Sequence, residues 1–153
     1  MRHPAILEDA KLAIYYSDFR KEDLYMENKL AEGQIVTGIY KTGKYTGEII
    51  SVNEARSTAV VKVLAVNKHP VQGDLHNPGS TNVPLFHERK ALSFNEKTNI
   101  PLAYIKPYTG SVPEYDSSLK TAVEKQKKEL EEDGSAWAKK ALETLEEVAK
   151  DYY

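Results

Sequence analysis

Apolar positions follow two rhythms in this 153-residue chain, and the change falls near Pro113. From Gly33 to Asn67 the rhythm is that of strands. "GQIVTGIYKTGKYTGEIISV" carries β-branched and aromatic residues, broken at "KTGK", where Gly43 is suited to a positive φ. In "STAVVKVLAVN", Ala59, Val61, Val63 and Ala65 alternate with Val60, Lys62, Leu64 and Val66. One face therefore reads as fully buried and the other as buried except at Lys62. "NEARS" supplies the turn between these strands. Short turns predict an antiparallel meander, and Gly38 and Gly47 mark bends where a small sheet curls on itself. Residues 68–90, with Pro70, Pro78 and Pro84 among glycines and asparagines, predict a long loop without strand or helix periodicity. "KALSF" and "LAYIKPY" read as two short closing strands. The pattern predicts an SH3-like small β-barrel over residues 29–112, its closure removing sticky edges.

After Pro113 the spacing becomes helical. Asp116, Ser117 and Ser118 are candidates to cap a first helix, whose stripe is Leu119, Val123, Gln126 and Leu130. Gly134 ends it and Ser135 can cap a second helix with the stripe Trp137, Ala141, Leu145, Val148 and Tyr152. So short a gap predicts a C-terminal α-helical hairpin over residues 113–153, packed on the barrel, with Trp137 as a core anchor. Residues 1–28 read as an N-terminal extension. "ILEDAKLAIYYSDF" has the form of a short amphipathic helix. A second reading rests on Arg20-Lys21-Glu22-Asp23, which purine-rich codons containing a ribosome-binding sequence can encode just upstream of Met26. On that reading translation starts near Met26.

Composition narrows the function classes. Hydrophobic residues make up 41% of the chain, compatible with a packed core, and no apolar run approaches the roughly 18 residues of a membrane span. There are no cysteines, which removes disulfides, cysteine-ligated zinc, thiol catalysis and lipid attachment through cysteine from consideration for this chain. A cytoplasmic location is the expectation. The net charge of -2 is unevenly spread: residues 29–112 hold 10 basic and 6 acidic side chains, residues 113–153 hold 7 and 11. This fits two complementary packed parts, or a basic face toward an acidic partner.

Four functional readings compete against this background. His69, Asp74 and His76 share one loop, and with His87-Glu88 nearby they offer nitrogen and oxygen ligands, but the spacing matches no compact metal motif. No metal and no cofactor is expected. His87 beside Glu88 suggests acid–base work, yet adjacent residues on a strand point to opposite faces. No nucleophile elbow, phosphate loop or dinucleotide fingerprint is present, so no catalytic residue is assigned. Within "HERKAL", Glu88 and Arg89 read as an ion pair or surface charges able to tie the loop to the helical tail. Lys41, Lys44, Lys68, Arg89, Lys90 and Lys97, with Tyr40 and Tyr45 for stacking, are the candidates for nucleic-acid binding. The acidic helices oppose that alternative. A protein-binding groove lined by Tyr40, Tyr45, Phe86, Tyr104 and Tyr108 is the remaining reading, with His87, Glu88, Arg89 and Lys90 as further partner-binding candidates.

The motifs "GQIVTGIYKTGKYTGEI", "HPVQGDLHNP", "VPLFHERKAL", "TNIP", "IKPYTGSVPEY" and "LEEDGSAWAKKAL" resemble those of the kinase-associated protein B family, also called kinase-associated lipoprotein B, of endospore-forming Gram-positive bacteria. The resemblance runs from about Glu32 to Tyr153 and leaves out the first 25 residues. It implies an SH3-like barrel with a helical extension, and a non-enzymatic part in sporulation signalling. There the family promotes activation or production of a membrane sensor histidine kinase feeding the phosphorelay. The family name implies a lipid, but this chain has no cysteine to carry one. Membrane association is thus expected only through a partner. On this reading "HERKALSFNEKTNIP" is the clasp where the long loop re-enters the barrel, presenting part of a partner surface.

Overall fold

The structure, a computed structural model, describes residues 29–153. The helix expected within residues 6–19 and the start expected at Met26 lie outside the described residues. Strands β1 (Ile35–Tyr40), β2 (Gly43–Asn53) and β3 (Thr58–Lys68) form the meander that the short turns predict. Tyr40 pairs with Gly43 across a two-residue turn whose Lys41 and Thr42 both have positive φ, 46° and 70°. That turn matches the right-handed twist of the strands it joins. Gly43, expected to hold the left-handed position, is needed for a different reason. A Cβ there would lie 2.5 Å from the Tyr45 hydroxyl oxygen, because Tyr45 folds back over it.

The fourth strand is not "KALSF". β4 is Lys97–Pro101, paired antiparallel to β3, and a single 3-10 turn (Leu102–Tyr104) leads into β5 (Ile105–Pro107), paired to β1. The order is β4-β3-β2-β1-β5. Consecutive strands β4 and β5 thus stand at opposite ends of the ladder, joined by a turn instead of by hydrogen bonds. The sheet curls strongly but does not close, which corrects the expected barrel. Three register shifts along β2 and β3, one of them at Thr46/Gly47, supply the curl. The curl brings β4 over β1 so closely that a Cβ on Gly38 would sit 2.9 Å from Ile100 Cδ1.

Residues 90–94 look like a strand because Ala91 is buried and Leu92 half-buried. Their backbone is satisfied by side chains instead. Ala91 N–H donates to the Tyr152 hydroxyl at 2.9 Å and Leu92 N–H to the Tyr45 hydroxyl at 3.2 Å, while the Tyr115 hydroxyl donates to Leu92 C=O. A buried segment needs partners for its polar groups, and tyrosines from β2, from the helix Tyr115–Asp133 and from the turn after the helix Ala136–Ala149 provide them without a ladder.

Helices α1 (Tyr115–Asp133) and α2 (Ala136–Ala149) follow. None of Asp116, Ser117 and Ser118 caps α1. Glu114 holds the N-cap position without a side-chain cap bond. Ser118 lies inside the first turn, where its hydroxyl accepts from Val66 N–H of β3 at 2.9 Å and so fastens helix to sheet. Gly134, at φ 67°, ends α1, and the Ser135 hydroxyl accepts from Ala138 N–H at 3.1 Å. The predicted stripe packs as expected: Leu119, Val123 and Leu130 join Ala141 and Leu145 of α2 and Tyr45, Val63 and Val66 of the sheet in one buried cluster. Sheet and helices belong to one compact unit, residues 31–153.

Candidate functional site

The long loop is pinned to the sheet and helices from several directions, and the pins shape a cleft. Val71 N–H donates to Thr42 Oγ1 at 2.9 Å, which ties the loop to the β1–β2 turn. The outgoing and returning arms are then stitched together. Gly73 N–H donates to His87 C=O at 2.9 Å. Gln72, 2% exposed, uses its side-chain amide as a strand would use its backbone. Its Nε2 donates to Arg89 C=O at 3.0 Å and its Oε1 accepts from Arg89 N–H at 2.8 Å. The Arg89 guanidinium donates to the carbonyls of Val71 and Gly73. Its partial burial lowers the guanidinium from its usual range.

Gly73 (φ 101°) passes beneath Phe86 and Trp137. A Cβ there would approach Phe86 Cζ to 3.0 Å and Trp137 Nε1 to 3.2 Å. Lys140 of α2 sits 5.0 Å from the Phe86 ring centroid, so Phe86 and the half-buried Trp137 anchor the loop on α2.

His69 is fully buried at the start of the loop. Its Nε2 lies 2.7 Å from the Tyr152 hydroxyl and its Nδ1 2.9 Å from Pro70 C=O. Pro70 C=O can only accept, so Nδ1 carries the proton of the neutral ring and Nε2 accepts the Tyr152 hydroxyl proton. Burial lowers the His69 pKa, which favours the neutral imidazole. The same burial raises Tyr152 and takes Tyr45 up to about 12. Asp74 caps its own turn, accepting from His76 N–H at 2.8 Å and from the Asn77 amide, and these bonds lower its pKa. The three weak metal candidates are therefore not assembled. His69 has both nitrogens engaged in the interior, Asp74 and His76 serve a loop turn, and no group of three such ligands exists among the described residues.

What these ties leave open is a cleft of about 490 Å³ between the β1–β2 turn, the start of the loop and its return. Six of the nine partner-binding candidates meet in its wall: Tyr40, Tyr45, His87, Glu88, Arg89 and Lys90. Phe86, Tyr104 and Tyr108 do not. Phe86 faces α2, and the Tyr108 hydroxyl donates to Ser111 C=O at 2.7 Å, away from the cleft. Leu75 and Leu92 add apolar surface that the sequence did not single out. Lys41, 5.5 Å from the Tyr40 ring centroid, stands at the mouth.

The expected Glu88–Arg89 tie to the helical tail is replaced by Lys90–Asp151 at 2.9 Å, since Arg89 is committed to carbonyls. Of the nucleic-acid candidates, Lys41, Arg89 and Lys90 line this cleft. Lys44 and Lys68 oppose each other across β2 and β3 beside a different cleft, and Lys97 stands on β4. Gln72, Thr42 and Tyr152 are the residues that sequence reasoning missed. A lone glutamine or threonine in a loop carries no periodic signal, and Tyr152 showed only its place on a helical stripe.

Comparisons with known proteins place this arrangement. Residues 40–153 match the family described as kinase associated protein B. Kinase-associated lipoprotein B of Bacillus subtilis (strain 168) is 50% identical over 121 residues, covering 79% of this chain and 93% of that protein. The crystal structure of kinase-associated protein B from Bacillus cereus superposes with a TM-score of 0.68 at 46% identity, covering 81% of this chain and 98% of that one. A sheet extended by two C-terminal helices and a match over three quarters of the sequence lead to one assignment: the chain belongs to the kinase-associated protein B family.

Proposed function

We propose that this protein is a non-enzymatic accessory regulator in sporulation signalling. It promotes activation or production of a sensor histidine kinase of the phosphorelay by protein–protein contact through the 490 Å³ cleft. The observation that carries the reading is the cleft itself. Aromatic and charged residues far apart in sequence converge on it, and a fastened loop holds their backbone in place. The family name, kinase-associated, supplies the partner class. Binding at such a surface acts by favouring one conformation of the partner, and a shift of about 1.4 kcal/mol changes an activity ratio tenfold. No helix among the described residues is long and apolar enough to cross a membrane. The protein, cytoplasmic on this reading, reaches a membrane by way of the bound kinase.

The test is capture of the purified protein by the cytoplasmic part of the sensor kinase, with wild type compared with His87→Ala and Lys41→Glu. Both residues are exposed on the cleft, and neither side chain holds the loop. Affinity falls about tenfold in each variant if the reading holds. Undiminished capture by both would sink it, as would salt-sensitive retention of RNA in place of the kinase.

A further inference from the structure

A second cleft, of about 430 Å³, opens where the segment after the loop meets the start of α1. Its apolar wall includes Phe94, Val112 and Tyr115, and Phe94 and Val112 remain 54% and 39% exposed. Phe94 is held there by a hydrogen-bonded turn. Asn95 N–H donates to Val63 C=O at 2.7 Å, Val63 N–H to Glu96 C=O at 2.9 Å, and Glu96 N–H to Ser93 C=O at 3.0 Å. The Glu96 carboxylate accepts from Ser93 N–H at 2.8 Å. Asn95 takes φ 67° to complete the turn, a conformation asparagine adopts more readily than most residues. The Phe94 ring lies 5.8 Å from that of Tyr115, whose hydroxyl is bonded to Leu92 C=O. An aromatic pair so fixed loses little freedom when covered.

The charge of this cleft has one sign. Glu114 and Asp116 line it with no lysine or arginine, and neither joins an ion pair among the described residues. We propose that this cleft docks a basic amphipathic segment of a partner protein, with its apolar face on Phe94, Val112 and Tyr115 and its cations against Glu114 and Asp116. The carboxylates exclude an anionic lipid surface as the occupant. The inference goes beyond the regulator reading, because it concerns a different surface that carries the opposite charge.

The experiment titrates the isotopically labelled full chain with a helical leucine–lysine peptide and with its leucine–glutamate counterpart. Amide shifts are followed by NMR and affinity by fluorescence anisotropy. The lysine peptide is expected to shift Phe94, Val112 and Asp116, and the glutamate peptide to leave them unmoved. Phe94→Ala and the Glu114→Lys/Asp116→Lys pair each weaken binding about tenfold. Tyr104→Ala removes a ring that is equally exposed but outside the cleft, and it leaves binding intact, as does His87→Ala. Phe94 is exposed enough for its variant to fold, and an unchanged melting curve verifies this. No binding, equal binding of both peptides, or shifts centred elsewhere would overturn the proposal. So would self-association of the free chain that Phe94→Ala abolishes, which would assign the face to a second copy.

Discussion

Replacing Gln72 by leucine tests whether the cleft wall is held as described. The side chain is 2% exposed and makes three hydrogen bonds: from Nε2 to Pro70 C=O (3.1 Å) and to Arg89 C=O (3.0 Å), and from Arg89 N–H to Oε1 (2.8 Å). Leucine fills a similar volume and offers none of them. Pro70 C=O keeps its contact with His69 Nδ1 at 2.9 Å, so the loss falls on the N–H and C=O of Arg89. An orphaned buried backbone group costs about 1–3 kcal/mol. Arg89 is half-buried, so water recovers part of this and roughly 1.5 kcal/mol per group is appropriate. The added apolar burial returns about 1 kcal/mol. The expected net loss is therefore about 2 kcal/mol. Urea unfolding reads it as a lower midpoint at unchanged slope, and hydrogen exchange reads it as faster exchange at Arg89 and Gly73. A loss below about 0.5 kcal/mol with the Arg89 amide still protected would show that the two arms are held by something other than Gln72.

Three further outcomes are expected. The His69 pKa is lowered by burial, so the unfolded chain takes up a proton below about pH 6.5 while the folded chain does not. Stability is full above that pH and falls as pH drops through it, by at most about 1.4 kcal/mol per unit. Melts from pH 7.5 to 5 are steeper for wild type than for His69→Gln. Tyr45 is pushed up to about 12, chiefly by burial, so its contribution is present below pH 10 and is lost between about pH 10 and 12. Tyr45→Phe flattens alkaline unfolding over that window and costs about 1 kcal/mol at pH 7, because Leu92 N–H loses its acceptor. Lys90→Ala breaks an ion pair whose side chains are 59% and 64% exposed, and urea titration shows less than about 0.5 kcal/mol.

β-branched and aromatic runs separated by short turns made β1 to β3 legible, and the 3.6-residue stripe with Gly134 and Ser135 made the helical hairpin legible, because each signal is local to one element. The failures fall where a residue acts across elements. "KALSF" has the burial of a strand, but its hydrogen bonds go to Tyr45, Tyr115 and Tyr152, and nothing in the segment reveals partners 23 to 61 residues away. β4 falls instead on "KTNIP", a stretch poor in apolar residues that becomes a strand by pairing with β3. Ser118 has the composition of a cap and is used as a cross-link, since β3 presents it with an unpaired Val66 N–H.

The candidate site was legible as a place more than as a set of roles. A polar loop with aromatics at its ends must return to the sheet, so Tyr40, Tyr45 and residues 87–90 were bound to meet near its mouth. Which of them face a partner depends on what the loop needs for its own closure. Arg89 satisfies two loop carbonyls, and Tyr45 is buried with its hydroxyl on Leu92 N–H. A partner that bound either strongly would have to undo part of the fold. The side chains of His87, Lys41 and Glu88 are exposed and hold none of the ties, so contact energy at this cleft is available from them and from the apolar surface of Leu75. The residues that read most like a binding motif therefore divide in two: Arg89 and Tyr45 keep the cleft in shape, and their exposed neighbours leave its surface free to bind.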